Sequence, residues 1–122
     1  EGAPSVKQKR RQKAQEVASN QMLQDVPEAD VVIVNPTHYA VALKWARHAG
    51  SAPVCVAKGV DHLAARIREI ATETGVPVHS DPPTARAVHA TVEIGAEIRP
   101  DHYQAVAVAI RFAERVRKAA RK

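Results

Sequence analysis

Apolar residues gather in short blocks along this chain, and the spacing inside each block changes from one to the next. Val31-Val32-Ile33-Val34 is apolar at every position, the pattern of a strand covered on both faces, and predicts a central strand. Residues 39 to 45 alternate instead, with Tyr39, Val41, Leu43 and Trp45 on one side and Ala40, Ala42 and Lys44 on the other. They predict a second strand whose other side is half exposed or faces small groups. A loop carrying Gly50 and Ser51 leads to a third strand, Val54 to Ala57, which Gly59 breaks. Asp61 then stands where an N-cap belongs, ahead of Leu63, Ile67, Ile70, Ala71 and Thr74 at helical spacing, with Gly75 as the C-terminal stop.

Val76-Pro77-Val78-His79 predicts a fourth strand, and Pro77, lacking an N–H, places it at a sheet edge. Strand, helix and strand in succession imply a parallel pair with a crossover connection. Asp81-Pro82-Pro83 caps and starts a helix through Ala85, Val88 and Val92, ending by Gly95. Pro100 to Gln104 reads as a capping box opening a last helix with a stripe of Tyr103, Val106, Ile110 and Ala113. The first 24 residues have helix-forming composition but only Val17, Met22 and Leu23 as large apolar groups, the mark of a helix without a buried stripe or of a disordered linker. Pro27 marks the boundary. The expected fold class is α/β, a small sandwich with a roughly four-stranded mixed sheet flanked by helices and preceded by an extended N-terminal linker helix. Residues 1–27 form a basic linker segment and 28–122 the domain with a basic C-terminal tail.

The length of 122 residues suits one domain with one core. No run of 18 apolar residues occurs, so no bilayer span is expected, and the N-terminal residues lack the apolar core of a signal peptide. The single cysteine, Cys55, has no internal disulfide partner, which fits a reducing compartment; in an apolar setting it reads as a small buried hydrophobe. The net charge of +5 invites a nucleic-acid reading until it is divided along the chain. Residues 1–28 carry +1, residues 29–110 carry −1, and residues 111–122 carry +5. The body is neutral and the basic groups sit at the ends, where a solvated helix end or an anionic membrane surface accounts for them, each Lys or Arg contributing about 1 kcal/mol beside such a surface.

Six histidines, at 38, 48, 62, 79, 89 and 102, do not pair with one another, with cysteine or with acids at a ligand spacing, so no metal is expected. The glycines are scattered and form no phosphate loop, and no cofactor motif is present, so no cofactor is expected. Four aromatic residues, Tyr39, Trp45, Tyr103 and Phe112, make no base-stacking platform, and nucleic acid is not an expected partner.

What remains is Asn35-Pro36-Thr37-His38, between the first two strands. An Asn-Pro pair commonly marks a β-turn. Its chemistry is distinctive as well. Asparagine ordinarily ages when the next residue's backbone nitrogen attacks its side chain, but Pro36 has no N–H and closes that route. The reverse attack stays open: the Asn35 side-chain amide attacks its own main-chain carbonyl and expels the proline nitrogen, cutting the chain between Asn35 and Pro36. A poor nucleophile needs positioning and proton management. The turn and the restriction that proline puts on Asn35 supply the first. His38 can exchange protons at neutral pH, and Thr37 can orient the turn through its hydroxyl or backbone; the alternative is a surface His and an ordinary turn Thr.

The stretch Asp30-Val31-Val32-Ile33-Val34-Asn35-Pro36-Thr37-His38-Tyr39-Ala40-Val41-Ala42-Leu43-Lys44 resembles the signature of the type III secretion export-switch family, most closely its flagellar branch. Val56-Ala57-Lys58-Gly59-Val60-Asp61, Ile67-Arg68-Glu69-Ile70-Ala71, Gly75-Val76-Pro77-Val78, Ala90-Thr91-Val92-Glu93-Ile94-Gly95 and His102-Tyr103 with Ala105-Val106-Ala107 are similar to it in order and spacing, over roughly residues 20–112. The chain departs from the family's usual residues at Val34, Asp81, Thr84 and His89, none of them in N-P-T-H.

The resemblance implies a domain at the cytoplasmic face of the bacterial inner membrane, joined by residues 1–27 to transmembrane helices absent from this sequence. It implies a single-turnover self-cleavage at Asn35-Pro36, with Asn35, Pro36, Thr37 and His38 as the catalytic set, rather than a turnover protease. The two pieces are expected to stay folded together, and the cut to take part in switching export from rod and hook substrates to filament substrates. Implied partners are export-apparatus proteins, namely an FlhA-like gate component, a hook-length control protein and the ATPase complex, together with the exported substrates. Two other readings compete. One is a non-cleaving module that binds membrane or nucleic acid through its basic ends, marked by steep salt dependence. The other is a small-ligand α/β enzyme, marked by a deep polar pocket.

Overall fold

The computed structural model describes residues 19–120. Residues 1–18 of the linker expected over 1–27, and the last two residues of the basic tail, lie outside the described residues. A helical stretch over 19–23 and a 3₁₀ turn, Val26–Glu28, lead into strand β1, Val31–Asn35. Strands β2, Tyr39–Lys44, and β3, Val54–Val60, follow, then helix α1, Asp61–Thr74. Strand β4, Val78–Ser80, helix α2, Pro82–Thr91, a 3₁₀ turn at Pro100–His102 and helix α3, Tyr103–Ala120, complete the chain.

The strands form one mixed sheet in the order β3-β2-β1-β4. β1 pairs antiparallel with β2 from Val31 opposite Leu43 to Asn35 opposite Tyr39, and parallel with β4 from Val32 opposite Val78 to Val34 opposite Ser80. The four-stranded mixed α/β sandwich expected from the periodicity is therefore the observed fold, with β4 at the edge that Pro77 predicts. The parallel partner of β4 is β1 rather than β3. The two hairpins leave one edge on β1 and one on β3; residues 95–98 take the β3 edge, with the Gly95 N–H donating to Cys55 O at 2.7 Å and the Cys55 N–H to Ala96 O at 2.9 Å, so β4 joins β1 and the crossover carries α1 across the whole sheet.

Both faces of β1 are covered, as four consecutive apolar residues require. Val31 and Ile33 pack with Val41, Leu43, Cys55, Ala85, Val88, Val106, Ile110 and Ala113 on the α2 and α3 face. Val32 and Val34 pack with Ala40, Ala42, Ala57, Ala64, Ile67 and Ala71 on the α1 face. The alternation in β2 thus sorts large groups toward α2 and α3 and alanines toward α1, whose backbone can then lie close to the sheet. Met22, Leu23 and Val26 are buried on the α1 face, so packing reaches back beyond Pro27. At the other end, Arg117 of α3 donates to the carbonyls of Asp30 at 2.7 Å and Ala29 at 3.1 Å, tying the last helix to the start of β1.

Several local expectations are corrected. Gly59 does not break β3, which runs on to Val60. Its role is packing: a Cβ there would meet Leu63 Cγ at 2.6 Å, because α1 starts immediately after the strand and folds back over it. Gly59→Ala is expected to cost about 1–3 kcal/mol by overpacking, seen as a lower urea midpoint with an unchanged slope. An unshifted midpoint would remove this explanation of the glycine. Asp61 is not an N-cap. It is the first helical residue, Val60 holds the cap position without a side-chain bond, and Asp61 itself has φ +48°. The last helix has Arg99 before its 3₁₀ turn with no side-chain cap, in place of the predicted capping box, and His102 Nε2 instead lies 3.2 Å from Thr91 Oγ1. That turn also rotates Tyr103 out of the buried stripe, which is Val106, Ala109, Ile110 and Ala113. Asp81 does cap α2, accepting from the Thr84 N–H at 3.3 Å, and Gly75 ends α1 with φ +78°.

Candidate functional site

Asn35 is the last residue of β1, half-buried, and the chain reverses over the exposed Pro36, Thr37 and His38 before β2 begins. Its backbone is held from three directions. The carbonyl before it, Val34 O, accepts from the Asp81 N–H at 3.0 Å. Asn35 pairs with Tyr39 in the hairpin register. The Asn35 carbonyl oxygen accepts from the His38 N–H at 2.9 Å, closing the turn. That oxygen belongs to the peptide bond joining Asn35 to Pro36. A donor already aimed at it polarises the carbonyl and stabilises the oxyanion that any attack on its carbon creates.

Helix α1 grips the far side of the turn. His38 O accepts from the Asp61 N–H at 2.9 Å, and His38 Nδ1 lies 3.4 Å from Asp61 Oδ1. Arg68, two turns further along α1, donates to the Pro36 carbonyl. The side chains of His38 and Asp61 are 66% and 76% exposed, so their attraction is screened by water and the pair orients more than it stabilises. Asn35 and His38 line one open cleft of about 410 Å³ together with Tyr39, Val60, Asp61 and Arg86.

Of the four residues singled out from the sequence, Asn35 and His38 therefore meet in one cleft, whereas Pro36 and Thr37 lie on the exposed turn beside it. The structure adds a contact of His38 that the sequence did not suggest, from its backbone N–H to Asn35 O rather than from its ring. Asp61 and Arg68 were missed. Each reaches the turn from 23 and 32 residues away, and no local pattern announces such a contact.

The other reactive groups are accounted for structurally. Cys55 is fully buried, and burial pushes its thiol up to about 11, so it is no nucleophile at neutral pH. His89 packs edge-on against Tyr39, with ring centroids 5.1 Å apart. Burial, and then the nearby Lys58 ammonium, hold its imidazole below the ordinary value, so it is neutral. Lys58 Nζ is itself engaged, donating to the carbonyls of His89 at 2.9 Å and Val92 at 3.0 Å. A second cleft, about 570 Å³, lies away from the turn and is lined by Trp45, Pro53, Ile98, Tyr103, Val106 and Ile110 among others. Its lining is mainly apolar, unlike the polar pocket expected of a small-ligand enzyme. Among the described residues no helix is long and apolar enough to cross a membrane.

Comparison with known proteins places this geometry in context. The model of the FlhB HrpN YscU SpaS family matches residues 1–113. The chain is 47% identical over 107 residues to the flagellar biosynthetic protein FlhB of Bacillus subtilis, covering 88% of this chain and 30% of that one. Against the FlhB of Salmonella typhimurium the identity is 50% over 107 residues, covering 88% and 28%. The chain thus spans less than a third of the length of these relatives. Among solved structures, the cytoplasmic domain of FlhB from Shewanella putrefaciens aligns with a TM-score of 0.77 at 39% identity, covering 84% of this chain and 79% of that one. A mutated EscU C-terminal domain aligns with a TM-score of 0.71 at 28% identity, covering 75% and 98%.

Proposed function

The chain belongs to the FlhB HrpN YscU SpaS family, and from that membership we propose that it is the self-cleaving domain of a flagellar type III export component, cut once between Asn35 and Pro36. In the proposed reaction the Asn35 side-chain nitrogen forms a bond to the Asn35 main-chain carbonyl carbon and gives up a proton. The carbonyl oxygen carries the negative charge of the tetrahedral intermediate. The bond to the Pro36 nitrogen then breaks, the nitrogen takes a proton and leaves as a secondary amine, and Asn35 ends the first fragment as a cyclic imide that water later opens.

The observation that carries this reading is the His38 N–H donating to Asn35 O at 2.9 Å, on the oxygen where the charge develops. Pro36 contributes twice, by closing the competing attack on the side chain and by holding Asn35 extended. The His38 ring, in the same cleft as Asn35, exchanges the protons directly or through water. Thr37 shapes the turn. The product stays assembled because the cut lies in an exposed turn, while β1 on its N-terminal side keeps its ladders to β2 and β4. Cleavage frees the end that begins at Pro36, altering the surface that export substrates and apparatus proteins meet, and so takes part in the change from rod and hook to filament substrates. The partners are the gate component, the hook-length control protein, the ATPase complex and the substrates. The domain works at the cytoplasmic face of the inner membrane, carried by membrane segments outside this chain.

Intact-mass measurement tests the cleavage. Purified chain is expected to give two species, residues 1–35 and 36–122, whose masses sum to that of the uncut chain, or to that plus one water once the imide has opened. A chain that stays whole through prolonged incubation at neutral pH would defeat the reading.

A further inference from the structure

We propose that Asp61 is a positioning residue for the scission, holding His38 at its main chain and its ring; this rests on the self-cleavage reading above. Asp61 occupies a backbone conformation, φ +48°, that residues other than glycine seldom adopt. Such an outlier persists only where the surroundings determine it, and here they are explicit. Strand β3 passes into α1 with no intervening loop, Gly59 lets Leu63 close over the strand, and the chain must turn sharply at Asp61 to do so. The Asp61 N–H continues the β2–β3 pairing past Tyr39 and Val60 onto His38 O at 2.9 Å, and the turn brings its carboxylate to 3.4 Å from His38 Nδ1.

Two consequences follow for the chemistry at Asn35. Holding His38 at its carbonyl steadies the residue whose own N–H donates to the scissile carbonyl. Facing Nδ1 with a carboxylate favours the tautomer with the proton on Nδ1, which leaves Nε2 as the acceptor able to take the amide proton. Base and orienting acid stand in the relation common to nucleophilic sites, here built on a turn and a helix start. Arg68 supports the same arrangement by holding the Pro36 carbonyl from α1, on the leaving side of the bond. The charged or titratable groups around His38 are Asp61 and Arg68 of α1, Arg86 of α2 and Tyr39 of β2.

The test follows cleavage of freshly refolded chain by intact mass at neutral pH for wild type, Asp61→Asn and Asp61→Gly. Asparagine keeps the size and tolerates the left-handed conformation but removes the charge; glycine removes the side chain and relieves the backbone. Both variants are expected to cut about tenfold more slowly at neutral pH, a smaller loss than the roughly hundredfold or more attached to a general base itself. In the uncut Asn35→Ala background the ring-nitrogen shifts of His38 are expected to report the Nδ1–H tautomer, and its loss in Asp61→Gly, while Asp61→Gly melts no lower than wild type. A merely structural role would slow cleavage only alongside lost stability and would leave the tautomer in place. If wild type cuts and both variants match its rate, the role of Asp61 is overturned and self-cleavage stands. If wild type never cuts, the underlying reading itself fails.

Discussion

Asn35→Ala is expected to keep the chain in one piece for as long as wild type is observed to cut, and to leave the fold as it is. In the proposed reaction the nucleophile is the Asn35 amide nitrogen, and nothing replaces it. Pro36 has no N–H, and the His38 N–H that polarises the carbonyl cannot attack it. Water remains, but an unassisted peptide bond is stable for far longer than a preparation lasts. Stability should change by no more than about 0.5 kcal/mol, because the Asn35 side chain sits half-buried at the end of a strand and the bonds that fix the turn are made by its backbone. Denaturing gel and intact mass give the answer together with a melting curve. Two fragments from Asn35→Ala would show that the chain is cut by something other than this residue. His38→Ala differs in kind, since it keeps the backbone N–H and loses only the ring.

Ile33→Ala has the largest expected effect on the assembled state. Ile33 is fully buried at the centre of β1, among the side chains of β2, α2 and α3. Truncation removes transfer free energy and leaves a cavity, at a cost of about 2–5 kcal/mol. Against a total stability of about 5–15 kcal/mol for an ordinary domain, that is a substantial fraction. The consequence is greater once the chain is cut. Val31 to Val34 then belong to the fragment ending at Asn35, and their packing and the two ladders are the largest part of what holds that fragment to the rest, beside the buried Met22, Leu23 and Val26 and the Arg117 bonds to Ala29 and Asp30. Uncut Ile33→Ala should stay folded with a lowered urea midpoint, whereas the cut form should separate on dilution as judged by size-exclusion chromatography. A cut variant that elutes as one species at wild-type dilution would mean that retention rests elsewhere, on the buried Met22, Leu23 and Val26 for instance.

The strands were legible because hydrophobic period is local. Four β-branched apolar residues in a short run at Val31 favour a strand buried on both faces, and the alternation from Tyr39 specified which side of β2 would carry the large groups. The ends of elements were less legible, because they depend on what the neighbouring element does. Gly59 looks like a strand breaker in one dimension. In three it is the point where α1 closes over β3, and Asp61, which reads as a cap, is spent on His38 instead. Tyr103 fits the helical stripe by spacing, yet a preceding 3₁₀ turn places it half exposed. Which strand lies beside β4 was decided by the competition for two edges, since residues 95–98 pair with the outer edge of β3 and leave that of β1 to β4.

For the site, the sequence by itself determined which attack an Asn-Pro pair leaves open, because the missing proline N–H is a matter of covalent structure and needs no fold. It also singled out Asn35 and His38, which the fold brings to one cleft. What only the tertiary structure decided is how the Asn35-Pro36 bond is held: a His38 backbone donor on the Asn35 carbonyl, and Asp61 and Arg68 of α1 on the turn. Those contacts arise when a hairpin and a distant helix pack against each other, and the directions of backbone N–H groups and of side chains 23 and 32 residues away are properties of that packing rather than of any local pattern.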